Sequence, residues 1–188
     1  SNPMAGAEKF YILKSNSEYE LLTDAIIPEE IVNINQYTFQ GFDCLKSVTL
    51  PASLQSIQYR GFVDCINLEK VYYHGQIIDW VNVDLSDYEY DNPMYYAHSF
   101  YMKNETNEYY LLTNLVIPEG VEELFTNAFE GFDCVNNVTI PSSLVSLGNH
   151  AFYLSENIDN VYYNGTLLQW LDIAFFDTRS NPCSYGSN

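Results

Sequence analysis

A proline-led spacing recurs four times in this chain, and it constrains the fold more than any other feature. Counted from Pro28, apolar residues fall at Ile31, Ile34, Phe39, Phe42, Leu45, Val48 and Leu50, and Pro51 restarts the count. The steps from Pro51 land on Leu54, Ile57, Phe62, Cys65, Leu68, Val71 and Tyr73. From Pro118 they give Val121, Leu124, Phe129, Phe132, Val135, Val138 and Ile140. From Pro141 they give Leu144, Leu147, Phe152, Ser155, Ile158, Val161 and Tyr163, where Ser155 alone is out of character. Steps of three predict tight helical turns, and the closing step of two predicts a short strand. A unit of about 23 residues with one strand cannot bury its apolar side alone, so it must stack on its neighbours.

A longer period lies above this one. GFDC at 41–44 returns at 131–134, VYY at 71–73 returns at 161–163, and Trp80 is matched by Trp170, an offset of 90 residues. Each copy holds a strand pair (FYILKSNSEYELL, FYMKNETNEYYLL), two coils, and a Trp-bearing insert ending in Asn-Pro, with one residue lost near Ser180 in the second. We therefore expect residues 1–9 to be an N-terminal extension, with Ser1-Asn2 resembling an expression scar, and 10–188 a single solenoid domain of two super-repeats, 10–99 and 100–188. The second copy stops where the first runs on into Phe100 and Tyr101, which reads as a segment of a longer array or as an array ending at a unit boundary. The expected fold class is an α/β repeat solenoid, a leucine-rich repeat with short parallel strands.

The run IPSSLVSLGNHAFYLSENIDNVYYNGTLLQW resembles the BspA-like leucine-rich repeats of bacterial surface proteins. That pattern is IP-x-x-hydrophobic-x-x-I-x-x-x-A-F-x-x-C-x-x-L-x-x-V, often followed by YxG, a Trp and NP. The resemblance runs from about residue 10 to 188. Cys65 stands where that family usually has Cys, whereas Phe42, Phe132 and Ser155 replace it, so the position reads as a packing slot. The resemblance implies a cell-surface or secreted location, with the parent's signal peptide missing here. It also implies adhesion to host proteins or to other cells.

Composition narrows the function. Against 25 acidic residues stand only 7 Lys and Arg, a net charge of −18. Phosphate binding needs clustered cations, so nucleic acid and anionic membrane surfaces are disfavoured as partners. No stretch approaches the roughly 20 apolar residues of a membrane-spanning helix. Cys44, Cys65, Cys134 and Cys183 do not make a disulfide framework in a chain of this length, and buried free thiols are preferred over a Cys44–Cys65 bridge between adjacent coils. Cys183 takes the place of Met94 and is expected to behave as a small hydrophobe.

Catalytic chemistry is hard to find. His74, His98 and His150 are dispersed, and their counterparts in the other copy are Asn164, Ser187 and Arg60. Neither HExxH, GxSxG, CxxC nor a phosphate-cradling glycine loop occurs, so no enzyme, metal or cofactor is expected. The acidic stretch 84–92 offers Asp84, Asp87, Glu89 and Asp91 as oxygen donors. It lacks the fixed glycine and spacing of an EF-hand loop, and only Asp177 and Asn181 persist in the second copy, so a solvated loop is the expectation. Trp80 and Trp170 open short apolar runs and are read as helical plugs packed on the solenoid.

A binding face can still be placed. Strand residues between the buried ones point outward. The candidate site residues are Ser47, Thr49, Lys70, Tyr72 and His74 in the first copy, and Asn137, Thr139, Asn160, Tyr162 and Asn164 in the second, with Asp24, Ile26, Asn114 and Val116 extending the rows. Hydroxyls, amides and flat tyrosines suit a protein surface or a glycan, so the expected partner is an extracellular protein (matrix or host surface) or a glycan. Tyr72 and Tyr162 are the expected anchors, aligned along one face. The alternative is a structural spacer in a longer array. The sequons at Asn104, Asn137 and Asn164 matter only in a glycosylating host.

Overall fold

In a computed structural model that describes residues 9–85 and 91–184, the closing step of each coil becomes the strand that the spacing demanded. A hairpin, β1 (Tyr11–Leu13) and β2 (Tyr19–Leu21), precedes β3 (Asp24–Ile26), β4 (Asn33–Ile34), β5 (Ser47–Leu50), β6 (Ser56–Ile57) and β7 (Lys70–Tyr73). The first insert holds α1 (Ile77–Trp80) and β8 (Asp84–Leu85). A second hairpin, β9 (Ser99–Lys103) and β10 (Tyr109–Leu111), leads to β11 (Asn114–Val116), β12 (Glu123–Leu124), β13 (Asn137–Ile140), β14 (Ser146–Leu147) and β15 (Asn160–Tyr163). The chain then forms α2 (Leu167–Asp172) and β16 (Ala174–Phe175).

The register follows the repeat. β3, β5, β7 and β9 pair in parallel, with Ala25 beside Val48, Val48 beside Val71 and Val71 beside Phe100; β10 closes this five-stranded sheet in antiparallel fashion. β11, β13 and β15 make a separate parallel sheet. The steps of three are single turns rather than helices: the N–H groups of Leu45 and Leu68 donate to the carbonyls of Phe42 and Cys65, each at 2.9 Å. Phenylalanines stack through the core behind the turns, Phe39 on Phe62 at 5.0 Å and Phe129 on Phe152 at 5.5 Å between centroids.

Several details depart from expectation. Each coil carries a second, two-residue strand, and these form the sheets β4-β6-β8 and β12-β14-β16. Ile34 and Ile57 lie opposite each other in this sheet. A β-branched side chain prefers that extended backbone to the helical turn the spacing suggested. Ile31 is 37 % exposed although its spacing marks it as buried, while its counterpart Val121 is 7 % exposed. The difference comes from Ile78 and Val81 of the first insert, which stand against Val121; no preceding insert lies over Ile31 among the described residues.

The variable slot is more than a packing position. The Cys65 thiol donates to the Phe39 carbonyl of the preceding coil (3.0 Å), and the Ser155 hydroxyl donates to the Phe129 carbonyl (2.7 Å). Ser155 also accepts from the Phe132 N–H at 3.1 Å, so a small polar atom satisfies buried backbone there. Burial pushes the Cys65 thiol up to about 12, which keeps it a protonated donor. All four cysteines are free, but only Cys65 is buried: Cys44 and Cys134 are half-buried and Cys183 is exposed. Met94, by contrast, is wholly buried. No described coil follows the second insert to cover Cys183 in the same way.

Candidate binding surface

The strand pairings assemble the outward residues into rows. Asp24, Ser47, Lys70 and Ser99 are neighbours across β3, β5, β7 and β9, and Ile26, Thr49, Tyr72 and Tyr101 form the row beside them. In the second sheet the rows are Asn114, Asn137 and Asn160, and Val116, Thr139 and Tyr162. His74 and Asn164 follow β7 and β15 directly. All ten candidate residues therefore lie on or beside the outward strand positions, divided between two sheets.

The polar rows are largely occupied with themselves. Asn160 donates its amide to Asn137 at 2.9 Å, and Asn137 donates to Asn114 at 2.7 Å. Such a ladder ties successive coils together and leaves its middle member less able to serve a ligand. Asp24 accepts from the hydroxyls of Ser47 (2.5 Å) and Thr23 (2.7 Å). These bonds, Ser47 first, hold its carboxyl below the usual carboxylate range.

The aromatic row behaves differently. Tyr72 is half-buried: its ring stacks on Tyr101 at 5.0 Å and meets Tyr109 edge-on at 4.8 Å. The Tyr109 hydroxyl lies 2.6 Å from His74 Nε2, while His74 Nδ1–H donates to the Glu29 carboxylate at 2.5 Å. Burial, with Tyr72 and Glu29 nearby, pushes the Tyr109 hydroxyl above its ordinary pKa, so it stays protonated as a donor. Ile26, Thr49, Tyr72, His74 and Tyr109 together line a shallow depression, with Ile26 75 % exposed at its edge.

Tyr72 and Tyr162, expected to align along one face, belong to two different sheets. Tyr162 is 55 % exposed. Asn164 fills the His74 position and donates to Glu119 at 3.2 Å, as His74 does to Glu29. Tyr101, Tyr109 and Glu29 were absent from the candidate set. Tyr101 recurs in the outward row only because the second hairpin adds to β7, and nothing in the coil spacing announces that pairing. Trp80 is a plug as expected, 1 % exposed, with its indole N–H donating to the Ala128 carbonyl at 2.8 Å. Trp170 is only half-buried.

Among the described residues histidine and carboxylate meet in pairs at distinct locations: His74 with Glu29, His98 with Asp133, and His150 with Asp177. Among the described residues no group of three or more such side chains could hold a metal ion. In the acidic stretch 84–92, Asp87 and Glu89 lie outside the described residues. Asp84 opens the solenoid-paired strand β8, and the buried Asp91 carboxylate accepts the Arg60 backbone N–H. No helix among the described residues is long and apolar enough to cross a membrane.

A family model described as the BspA type leucine rich repeat region matches residues 14–82 and 101–183, in six copies. No curated protein is significantly similar to this chain. The solved structures similar to this chain include three leucine-rich repeat proteins. One is a leucine rich cell surface protein from Faecalibacterium prausnitzii A2-165, at 18 % identity and a TM-score of 0.34, covering 89 % of this chain and 41 % of that one. Another is the T. pallidum leucine rich repeat protein, at 15 % identity and 0.43, covering 89 % and 83 %. The third is a leucine-rich repeat protein from Bacteroides ovatus ATCC 8483, at 15 % and 0.43, covering 92 % and 52 %. The chain thus spans less than half of the first of these and about half of the third.

Proposed function

Because the chain belongs to the BspA-type leucine-rich repeat family, we propose that it is a non-enzymatic binding module of the cell surface or secreted space that captures an extracellular protein on its outward strand face. The observation that carries this reading is the aromatic corner of Tyr72, Tyr101 and Tyr109 beside Ile26 and Thr49. Tyrosines offer flat apolar area with a polar tip and have little rotamer freedom to lose. Here their neighbours already hold them, which lowers the ordering cost of binding. The net charge of −18 favours a partner with a basic or neutral surface.

The spacer reading has one observation in its favour. The asparagine ladder spends outward polar groups on coil-to-coil bonds, as a purely structural array would. Biolayer interferometry against matrix proteins, fibrinogen and a glycan set, at physiological salt, separates the two. Saturable protein binding that a folded Tyr72→Ala/Tyr109→Ala variant loses supports the module. Loss to free sugar instead assigns a glycan ligand, and no binding to any surface favours the spacer.

A further inference from the structure

The hydroxyl of Tyr109 has a fixed polarity, and two neighbours set it. An ionised carboxylate only accepts, so the His74 Nδ1 that faces Glu29 at 2.5 Å carries the ring proton. A neutral imidazole has a single N–H, which leaves Nε2 as a lone pair. The Tyr109 hydroxyl, 2.6 Å from Nε2, therefore donates its one proton to His74 and turns acceptor lone pairs toward the depression.

The other walls of the depression suit a flat cation. Tyr72 stacks on Tyr101 through one face, and its strand neighbour on the other side is the small Thr49, so the second face of the ring stays open. Ile26 stands one strand beyond Thr49, about 9.5 Å from Tyr72 at the ordinary strand spacing. That gap admits one planar group over the ring, with an aliphatic stem against Ile26. Lys103 Nζ lies 5.4 Å from the centre of the Tyr109 ring, so the chain itself already places a cation on one of these tyrosines.

The arrangement persists where a full copy precedes it. Val116, the counterpart of Ile26, follows a complete super-repeat and is still 56 % exposed. Glu119, the counterpart of Glu29, accepts from the Ser142 N–H at 3.1 Å and from the Asn164 amide at 3.2 Å, as Glu29 accepts from Ala52 and His74.

We infer that the tyrosine corner takes an arginine side chain of an extracellular protein, and takes it only while His74 is neutral. This rests on the binding-module reading proposed above. A guanidinium is planar, cationic and carries donors alone, so it stacks on the open face of Tyr72 and donates to the Tyr109 oxygen. Among the described residues the titratable groups facing His74 are Glu29 from the first coil, Tyr109 from β10 and Tyr72 from its own strand, with Lys103 against Tyr109. Glu29 and Lys103 offset each other in charge, so protonation of His74 tips the corner from neutral to positive. It also puts a proton on Nε2. The Tyr109 oxygen must then accept from His74 and turn its own proton outward, where it meets the guanidinium donor against donor. Histidine ordinarily makes this change between pH 5 and 8.

NMR of the full chain with isotope-labelled tyrosine tests the assignment, using N-acetylargininamide and its neutral isostere N-acetylcitrullinamide as probes. At about pH 8 the arginine probe is expected to shift the Tyr72 and Tyr109 ring signals saturably, and the citrulline probe to leave them in place. Affinity for the arginine probe is expected to fall at least about fivefold at about pH 5.5. His74→Asn, the residue the second copy carries at Asn164, is expected to remove that fall; the wild-type titrations decide alone if this variant does not fold or bind. Arginine that moves neither ring, citrulline that binds equally well, or a fall with pH that survives in a folded His74→Asn chain overturns the inference. Such a failure beside interferometric capture that Tyr72→Ala/Tyr109→Ala abolishes overturns the arginine assignment alone, whereas absence of capture overturns the module reading with it.

Discussion

The phenylalanine at the turn of each coil sets the stability at the scale of single residues. Phe62 is wholly buried and stacked on Phe39, so Phe62→Ala is expected to cost about 3–5 kcal/mol, measurable by chemical denaturation. Backbone conformation matters as much. Gly41, Asp64, Gly131 and Leu154 occupy one repeat position, all with φ between 58° and 73°. Glycine fits that conformation without steric cost, and leucine does not. Leu154→Gly is therefore expected to stabilise the fold by about 0.5–1 kcal/mol, the residual after the extra chain entropy of glycine.

Asp24 makes stability depend on pH. Its hydrogen bonds to Ser47 and Thr23 lower its pKa in the folded chain from the ordinary 3.8. A lowered folded pKa contributes stability that is present above the unfolded pKa and is lost as pH falls through the folded one. The stability advantage of the wild type over Ser47→Ala should accordingly be constant near neutrality and shrink below about pH 4. Denaturation midpoints of both proteins across that range check it.

At the scale of elements, the inserts decide what the repeats enclose. α1 is pinned by Trp80, which bonds to Ala128 in the second super-repeat, while among the described residues the rings that Trp170 on α2 meets are those of Tyr163 and Phe175, at 5.2 and 5.5 Å. Trp80→Ala should cost about 3–5 kcal/mol and Trp170→Ala clearly less, although the sequence gives the two tryptophans equal standing. Thermal melts of the two variants read the contrast directly.

Legibility follows the same division. The long strands and the phenylalanine column were legible because a strict spacing can be satisfied only by stacking coils. The two-residue strands at Ile34 and Ile57 were not, since one step of three is compatible with a turn or with a strand. The place of Tyr101 and Tyr109 in the site was hidden for a different reason. It depends on the second hairpin adding to β7, a pairing between segments separated by an insert that no short period encodes. Ser155 looked anomalous in an apolar spacing and proved to hydrogen-bond where Cys65 does.

At the scale of the whole molecule, an elongated stack of parallel strands presents its outward rows as one repeating surface per sheet. Its rows are not equivalent. The asparagine and Asp24–Ser47 rows bond within themselves, whereas the tyrosine corner ends in exposed Ile26 beside a histidine braced by Glu29. The account therefore assigns recognition to the corner and cohesion to the ladder.

Affinity for an extracellular protein that the proposed module binds in the interferometry screen, measured in parallel for folded Tyr109→Ala and Asn137→Ala, tests that division most directly. The account predicts at least a tenfold loss for Tyr109→Ala, as for an interface anchor, and less than about twofold for Asn137→Ala. Equal affinity in wild type and Tyr109→Ala, or a loss confined to Asn137→Ala, would contradict it.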